Sequence, residues 1–97
     1  MPIWELQPID PRDDNWRAST YCGRAVVRAK DKDAARGVAS GAFAQIPSLE
    51  GHKIPIDPWL YEKTTTCERL KNTEYSEDGP EELLEPDPAK YAPHLRG

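Results

Sequence analysis

The stretch Gly23–Arg36, GRAVVRAKDKDAAR, decides the fold because it joins a strand pattern to the start of a helix. From Thr20 to Lys30 the residues alternate with the period of a strand that has one buried face. The inner face is small, apolar or aromatic and consists of Tyr21, Ala25, Val27 and Ala29. The outer face carries a cationic stripe, which consists of Arg24, Val26, Arg28 and Lys30. The alternation therefore predicts a strand.

A helix is predicted directly after this strand, from Lys32 to Gln45. Asp31 is a good N-cap residue. Apolar side chains then recur with the spacing of one helix face, at Ala35, Val38, Ala39, Ala42, Phe43 and Ile46. Gly37 and Gly41 weaken a helix interior, so they favour close approach of the sheet, a covering loop or a partner helix at this point.

Two further strands complete the predicted sheet. Ile3–Gln7 places Trp4 and Leu6 on one face, and Pro8 stops this strand or confines it to a sheet edge, so an edge strand is expected. Lys63–Thr73 is rich in β-branched residues and predicts a third strand. Residues 1–75 are thus expected to form one α+β domain, a small two-layer sandwich of about three strands with one helix packed on the sheet.

Residues 76–97 are predicted to form a flexible, loosely ordered tail that is acidic and rich in proline. Residues 74–88 contain seven acidic residues, three prolines and no basic residue. These acids can also fold back on the cationic stripe, through exposed ion pairs that salt would weaken.

Composition limits the classes of protein to which this chain can belong. Its 97 residues suffice for one small core, and its formal net charge of -4 lacks the basic excess of a nucleic-acid-binding protein. The sequence has no apolar run long enough to span a membrane and no secretory signal, so a cytoplasmic protein that contacts neither membrane nor nucleic acid is expected. Cys22 and Cys67 are accordingly expected to be reduced.

The sequence contains none of the common local motifs of catalysis. Cys22 could pair with His52 or His94, but neither spacing nor neighbouring residues support a thiolate and base. Together with Cys67 these residues are too widely spaced for a typical zinc site. We therefore expect no cofactor, no metal and no enzymatic activity.

Two groups of residues are candidates for a binding site. The cationic stripe suits an acidic partner, although the solvated side of an ordinary strand would carry the same charges. The second group is aromatic and either fills the core or lines a pocket; it consists of Trp16, Trp59 and Tyr61.

Four segments, PIWELQPID, NWRAS, VVRAKDKDAARGVASGAF and PWLYEKTTTCERL, resemble a group of small bacterial proteins with no assigned function. The segments fall within residues 2–70. The resemblance implies a compact bacterial α+β protein and transfers no catalytic or binding residue.

The hypothesis that these observations favour is a small non-catalytic interaction or regulatory module, with a protein partner or a second copy of the chain. One alternative is a small-molecule-binding protein or enzyme that uses the Trp/Tyr-rich loops. Another is an acidic inhibitor of a nucleic-acid-handling protein, which would act through Glu74–Asp87.

Overall fold

The computed structural model describes residues 1–45 and 57–87. Their elements, in chain order, are β1 (Ile3–Pro8), a 3₁₀ helix (Asp14–Ala18), β2 (Ala25–Arg28), α1 (Lys32–Phe43), β3 (Thr65–Arg69) and β4 (Glu82–Glu85). The four strands form one sheet in the order β3-β1-β2-β4, with all neighbours antiparallel. The predicted α+β class is confirmed, with four strands where about three were expected.

β1 lies in the centre of the sheet, where the sequence predicted an edge strand. Leu6 stands between Ala25 of β2 and Cys67 of β3. Pro8 is the last residue of β1, so its missing N–H falls at the strand end and interrupts no central hydrogen bond. The proline therefore sets the length of β1 and not its position.

β4 lies inside the segment that was predicted to be a loose tail. It pairs with β2, and Leu83 stands opposite Val27 and belongs to the buried core. A strand thus lies beyond the boundary predicted at residue 75, because one buried leucine and the pairing with β2 hold these acidic residues on the sheet. Residues 88–97 of the predicted tail lie outside the described residues.

α1 begins where the sequence predicted. The Asp31 carboxylate accepts a hydrogen bond from the Ala34 N–H (2.8 Å), as an N-cap does. The helix ends at Phe43, two residues before the predicted Gln45. The Phe43 carbonyl accepts from the Thr20 N–H (2.8 Å), so a neighbouring segment takes up a carbonyl at the helix end.

An aromatic cluster fills the space between α1 and the sheet. Trp59 is fully buried and its ring centroid lies 5.0 Å from that of Trp16, 5.4 Å from that of Phe43 and 6.4 Å from that of Tyr21. The Trp59 Nε1–H donates to the Ser19 hydroxyl (2.9 Å), which satisfies its one polar atom. Trp16 and Trp59 are therefore core residues.

The predicted inner face of the second strand is confirmed. Ala25, Val27 and Ala29 are buried in the cluster beneath α1, and Tyr21 packs against it. β2 itself is shorter than the predicted Thr20–Lys30, because only four residues pair with its neighbours. None of the helices in the described ranges is long and apolar enough to cross a membrane.

Candidate functional site

The cationic stripe lies on the sheet face opposite α1. From the sequence this face was expected to be solvated or open to a partner, but in the structure the centre of the stripe is covered. Val26 is fully buried and Arg28 is 7% exposed, whereas Arg24 and Lys30 are exposed just outside β2. The stripe is covered because β4 occupies the edge of β2 and because the connection before β4 reaches Arg28. Its predicted role in partner binding stays a prediction.

Arg28 holds the connection in place through three hydrogen bonds. Its guanidinium donates to the carbonyls of Ser76 (2.9 Å) and Pro80 (3.3 Å) and to the Glu82 carboxylate (2.6 Å). Gly79 has a φ of +132°, and a Cβ at this position would lie 2.8 Å from Arg28 Nη1. A glycine is thus required where the backbone passes the guanidinium.

Arg24 joins three parts of the chain on the same face. Its guanidinium contacts Glu5 (2.6 Å) and Glu85 (3.0 Å), and the other Glu85 oxygen accepts from the Tyr75 hydroxyl (2.6 Å). The hydrogen bond from Arg24 lowers the pKa of Glu5, and the hydrogen bond to Glu85 raises the pKa of Tyr75 to about 12. The acids of the predicted tail therefore do fold back on the stripe.

A second candidate site lies between the first turns of α1 and the turn of residues 57–64. It is a cleft of about 310 Å³. Its lining combines charged and apolar side chains, namely Lys32, Asp33, Arg36, Leu60, Tyr61 and Glu62. Of the three aromatic residues singled out from the sequence, only Tyr61 lines this cleft.

The 57–64 turn is fixed by hydrogen bonds from both ends. The Asp57 carboxylate accepts from the Trp59 N–H (3.0 Å) and from the Ser40 hydroxyl of α1. At the other end, the Thr64 hydroxyl donates to the carbonyls of Pro58 (2.6 Å) and Tyr61 (3.0 Å). Such a dense local network leaves the turn little freedom to change conformation.

Arg36 connects α1 to both sides of this turn. Its guanidinium donates to the carbonyls of Trp59 (3.2 Å) and Thr65 (2.9 Å). No functional role was predicted from the sequence for Arg36, nor for its neighbours in the cleft, Lys32, Leu60 and Glu62. A sequence signal for a contact surface did exist at Leu60, because it stands in the apolar run Trp59-Leu60-Tyr61. Arg36 had none, because its two hydrogen-bond partners lie 23 and 29 residues away along the chain.

Leu60 and Tyr61 project from the rigid turn into solvent. Leu60 is 47% exposed and Tyr61 is 48% exposed, while their neighbour Trp59 is buried in the core. The turn thus uses one large side chain as an anchor and presents the next two at the surface. Adjacent exposed apolar side chains of this size are typical of contact surfaces.

Neither an activated cysteine thiolate nor a group of three potential metal ligands occurs among the described residues. Burial raises the pKa of the Cys67 thiol, and it raises that of Cys22 as well, so neither is activated as a thiolate. No group of three potential metal ligands occurs in the described ranges. His52 and His94, which the sequence analysis considered as partners of Cys22, lie outside them.

The helix glycines are not enclosed as their small size suggested. A Cβ added at Gly37 would meet no atom within 4 Å. Gly37 is exposed, so neither the sheet nor a loop of the described residues packs on it. Close approach of the sheet is therefore not the reason for this glycine.

Comparison of the chain with protein-family models, with curated protein sequences and with solved structures gave no match. The assignment of a function therefore rests on the geometry of the two candidate sites.

Proposed function

We propose that this protein is a small, non-catalytic interaction module that docks a protein partner through the 57–64 turn and the adjoining cleft. The observation that carries the proposal is the exposure of Leu60 and Tyr61 on a turn that hydrogen bonds hold rigid. Because the backbone of this turn is already held in place, docking a partner would need little further ordering of the turn.

The surroundings of the two side chains fit the usual anatomy of a protein interface. Tyrosine is enriched among residues that dominate binding energy, and its ring offers a large contact area with few rotatable bonds. Lys32, Asp33 and Glu62 line the adjoining cleft, where they supply a charged rim. Such a rim contributes more to the choice of partner than to affinity.

Site-specific photocrosslinking in the source cell tests this proposal. A photoreactive phenylalanine analogue at position 61 should yield a protein adduct, whereas the same group at Asn72, an exposed residue beyond the end of β3 that is remote from the turn, should not. Adding Leu60→Ser to the position-61 variant should remove the adduct without changing the unfolding midpoint. Equal adducts from positions 61 and 72, or none from position 61, would contradict the proposal.

Binding of a small molecule in the cleft is the second candidate function. The observation in its favour is the cleft volume of about 310 Å³, which is near the lower end of the range for ligand pockets. Because Trp16 and Trp59 are buried, Tyr61 would be the aromatic contact. A thermal-shift screen of metabolites, repeated with Lys32→Gln, would support this function if a hit loses its shift in the variant.

The proposed module is a cytoplasmic one, and the same geometry disfavours an acidic inhibitor of a nucleic-acid-handling protein. Such an inhibitor would use the seven carboxylates of Glu74–Asp87. Three of them instead pair with this chain's own arginines: Glu82 with Arg28, Glu85 with Arg24 and Glu77 with Arg69. A protein partner at the 57–64 turn needs none of these pairs to break.

A further inference from the structure

The residues that close the second face of the sheet form a unit of their own. The Tyr75 hydroxyl donates to the Glu85 carboxylate (2.6 Å), and the Asp78 N–H donates to the Ser76 hydroxyl (2.9 Å). These contacts join the beginning of the unit to its end without help from the rest of the fold. We name residues 75–87 the exchange segment.

A short hinge precedes the exchange segment. The Leu70 N–H is the last upstream anchor and donates to the Ile3 carbonyl (2.8 Å). Among the described residues, 71–74 make no hydrogen bond to another strand or helix, and three of the four are exposed. A change in their backbone angles therefore moves the exchange segment at the cost of one local contact, the 3.3 Å hydrogen bond from the Tyr75 N–H to the Thr73 hydroxyl.

The exchange segment lies on β2 and on Arg24 just before it, and we call this surface the seat. The seat is complementary to the exchange segment in charge and in shape. Arg24 forms an ion pair with Glu85, and Arg28 forms one with Glu82. Arg28 also donates hydrogen bonds to the carbonyls of Ser76 and Pro80. Leu83 fills a place in the core beside Val27 of β2. A second copy of the chain carries the same segment, so it offers the seat an identical set of groups.

The contacts that keep the exchange segment on the sheet are also few and partly exposed. β4 has four residues, lies at the sheet edge, and shows a register irregularity against Val26 and Val27 of β2. The carboxylates of Glu82 and Glu85 stay about half exposed, so water screens their ion pairs. Local opening at such an edge is easier than unfolding of the aromatic core.

We propose that two copies of this chain exchange residues 75–87, so that β4 of each copy pairs with β2 of the other. The exchange is reciprocal and leaves no seat empty, which gives a closed dimer with two-fold symmetry. Each contact named above between the exchange segment and β2 is remade between copies, and among the described residues only the hinge differs. The dimer therefore forms as protein concentration rises, and it is independent of the 57–64 turn.

Charge reversal at the exposed pair tests the exchange. Arg24→Glu and Glu85→Arg each place like charges together within one chain, but an exchanged heterodimer of the two variants restores both opposite pairs. The new carboxylate at position 24 also lies beside Glu5, and this repulsion disfavours the closed and exchanged forms equally. After co-refolding at high concentration, we expect about tenfold more heterodimer than either homodimer by native mass spectrometry.

The single-chain double variant R24E/E85R is the matched control, because it restores the pair in both forms and should dimerise as the parent does. A heterodimer that appears only in the statistical proportion would place the dimer contact on another surface and overturn the proposal. Absence of any dimer from parent and mixture, up to millimolar protein, would overturn it too.

A second measurement avoids variants altogether. The Met1 ammonium donates to the main-chain carbonyl of Glu77 (2.7 Å), so it lies beside that residue, and a short crosslinker that couples amines to side-chain carboxylates can join Met1 to Glu77. Light and heavy isotopic forms of the parent chain are co-refolded and crosslinked, and the dimer is isolated. Exchange yields Met1–Glu77 crosslinks of mixed isotope, in about half of the product, because each crosslink then joins two copies. If every crosslink instead joins two residues of the same isotope, the segment stays in its own chain and the proposal is wrong.

Discussion

On the helix side of the sheet Trp59 is enclosed by other aromatic rings, whereas on the opposite side Arg28 is almost as deeply buried among oxygen atoms. The first environment gains free energy from removing apolar area from water. The second gains little in total, because the guanidinium gives up its hydration and needs every partner in place. The helix side therefore holds the larger apolar cluster, whereas the other side buries Ile3 and Val26 and depends also on the arrangement of a few polar groups.

The largest expected effect comes from the helix side. Phe43→Ala should lower the free energy of unfolding by about 3–5 kcal/mol, since it leaves a cavity beside Trp59. Val38→Ala, at a half-buried position of the same helix, is the matched control and should cost less. Chemical denaturation measures both changes. A loss below about 1 kcal/mol for Phe43→Ala would remove the basis for the comparison.

Two glycine substitutions should act in opposite directions. Gly79→Ala should cost about 1–3 kcal/mol, because Gly79 has a φ of +132° and the new Cβ would press on Arg28. Gly37→Ala should instead stabilise by about 0.5–1 kcal/mol, since it adds helix propensity in open space. Thermal unfolding compares the two. Equal effects would show that the backbone does not need glycine beside Arg28.

Arg24→Gln should have a smaller effect that depends on pH. The pairs with Glu5 and Glu85 are partly exposed, so their loss should cost about 0.2–1 kcal/mol at neutral pH. Because Arg24 lowers the folded-state pKa of Glu5, the stabilisation is present above the ordinary value of 4.5 and is lost as pH falls through the lowered pKa.

Urea denaturation of the parent and of Arg24→Gln at pH 7 and in acid tests this sign. The two unfolding curves should converge in acid and in high salt, where the pair is protonated or screened. Curves that diverge further in acid would assign the opposite role to the pair. Phe43→Ala should show no comparable salt dependence, because its effect is apolar.

The smallest effect concerns Tyr75 and is spectroscopic. One tyrosine should ionise at a pKa of about 12, because the neutral hydroxyl donates to Glu85. Stabilisation from this bond is present below the ordinary value of 10 and is lost as pH rises through about 12. Ultraviolet titration should lose this late phase in Tyr75→Phe. A parent titration without it would show that the bond is absent in solution.

The helix side was largely predictable from the sequence because its signals are local. Asp31 caps α1 through a residue three positions away, and the inner face of β2 follows from simple alternation. The central place of β1 was not predictable, since Pro8 is compatible with an edge or with a strand end. The strand's position depends on pairing with residues that lie far along the chain.

The opposite side was predictable only in part. Acids were expected to reach the cationic stripe, but Arg28 finds its partners 48, 52 and 54 residues away, and no local pattern marks such contacts. Glu82–Glu85 was assigned to a loose tail because its composition is acidic, although Leu83 packs into the core and the strand pairs with β2. The candidate cleft was missed for the same reason, since Arg36 joins segments separated in the sequence.

The central position of β1 has a consequence for the order in which the protein folds during synthesis. β1 can pair with β2 once about the first 30 residues have left the ribosome, but its other edge stays unpaired until β3, Thr65–Arg69, follows. An unpaired edge beside apolar side chains is prone to intermolecular association. Nascent chains stalled before residue 65 should therefore bind chaperones or aggregate, whereas chains that include β3 should resist proteolysis.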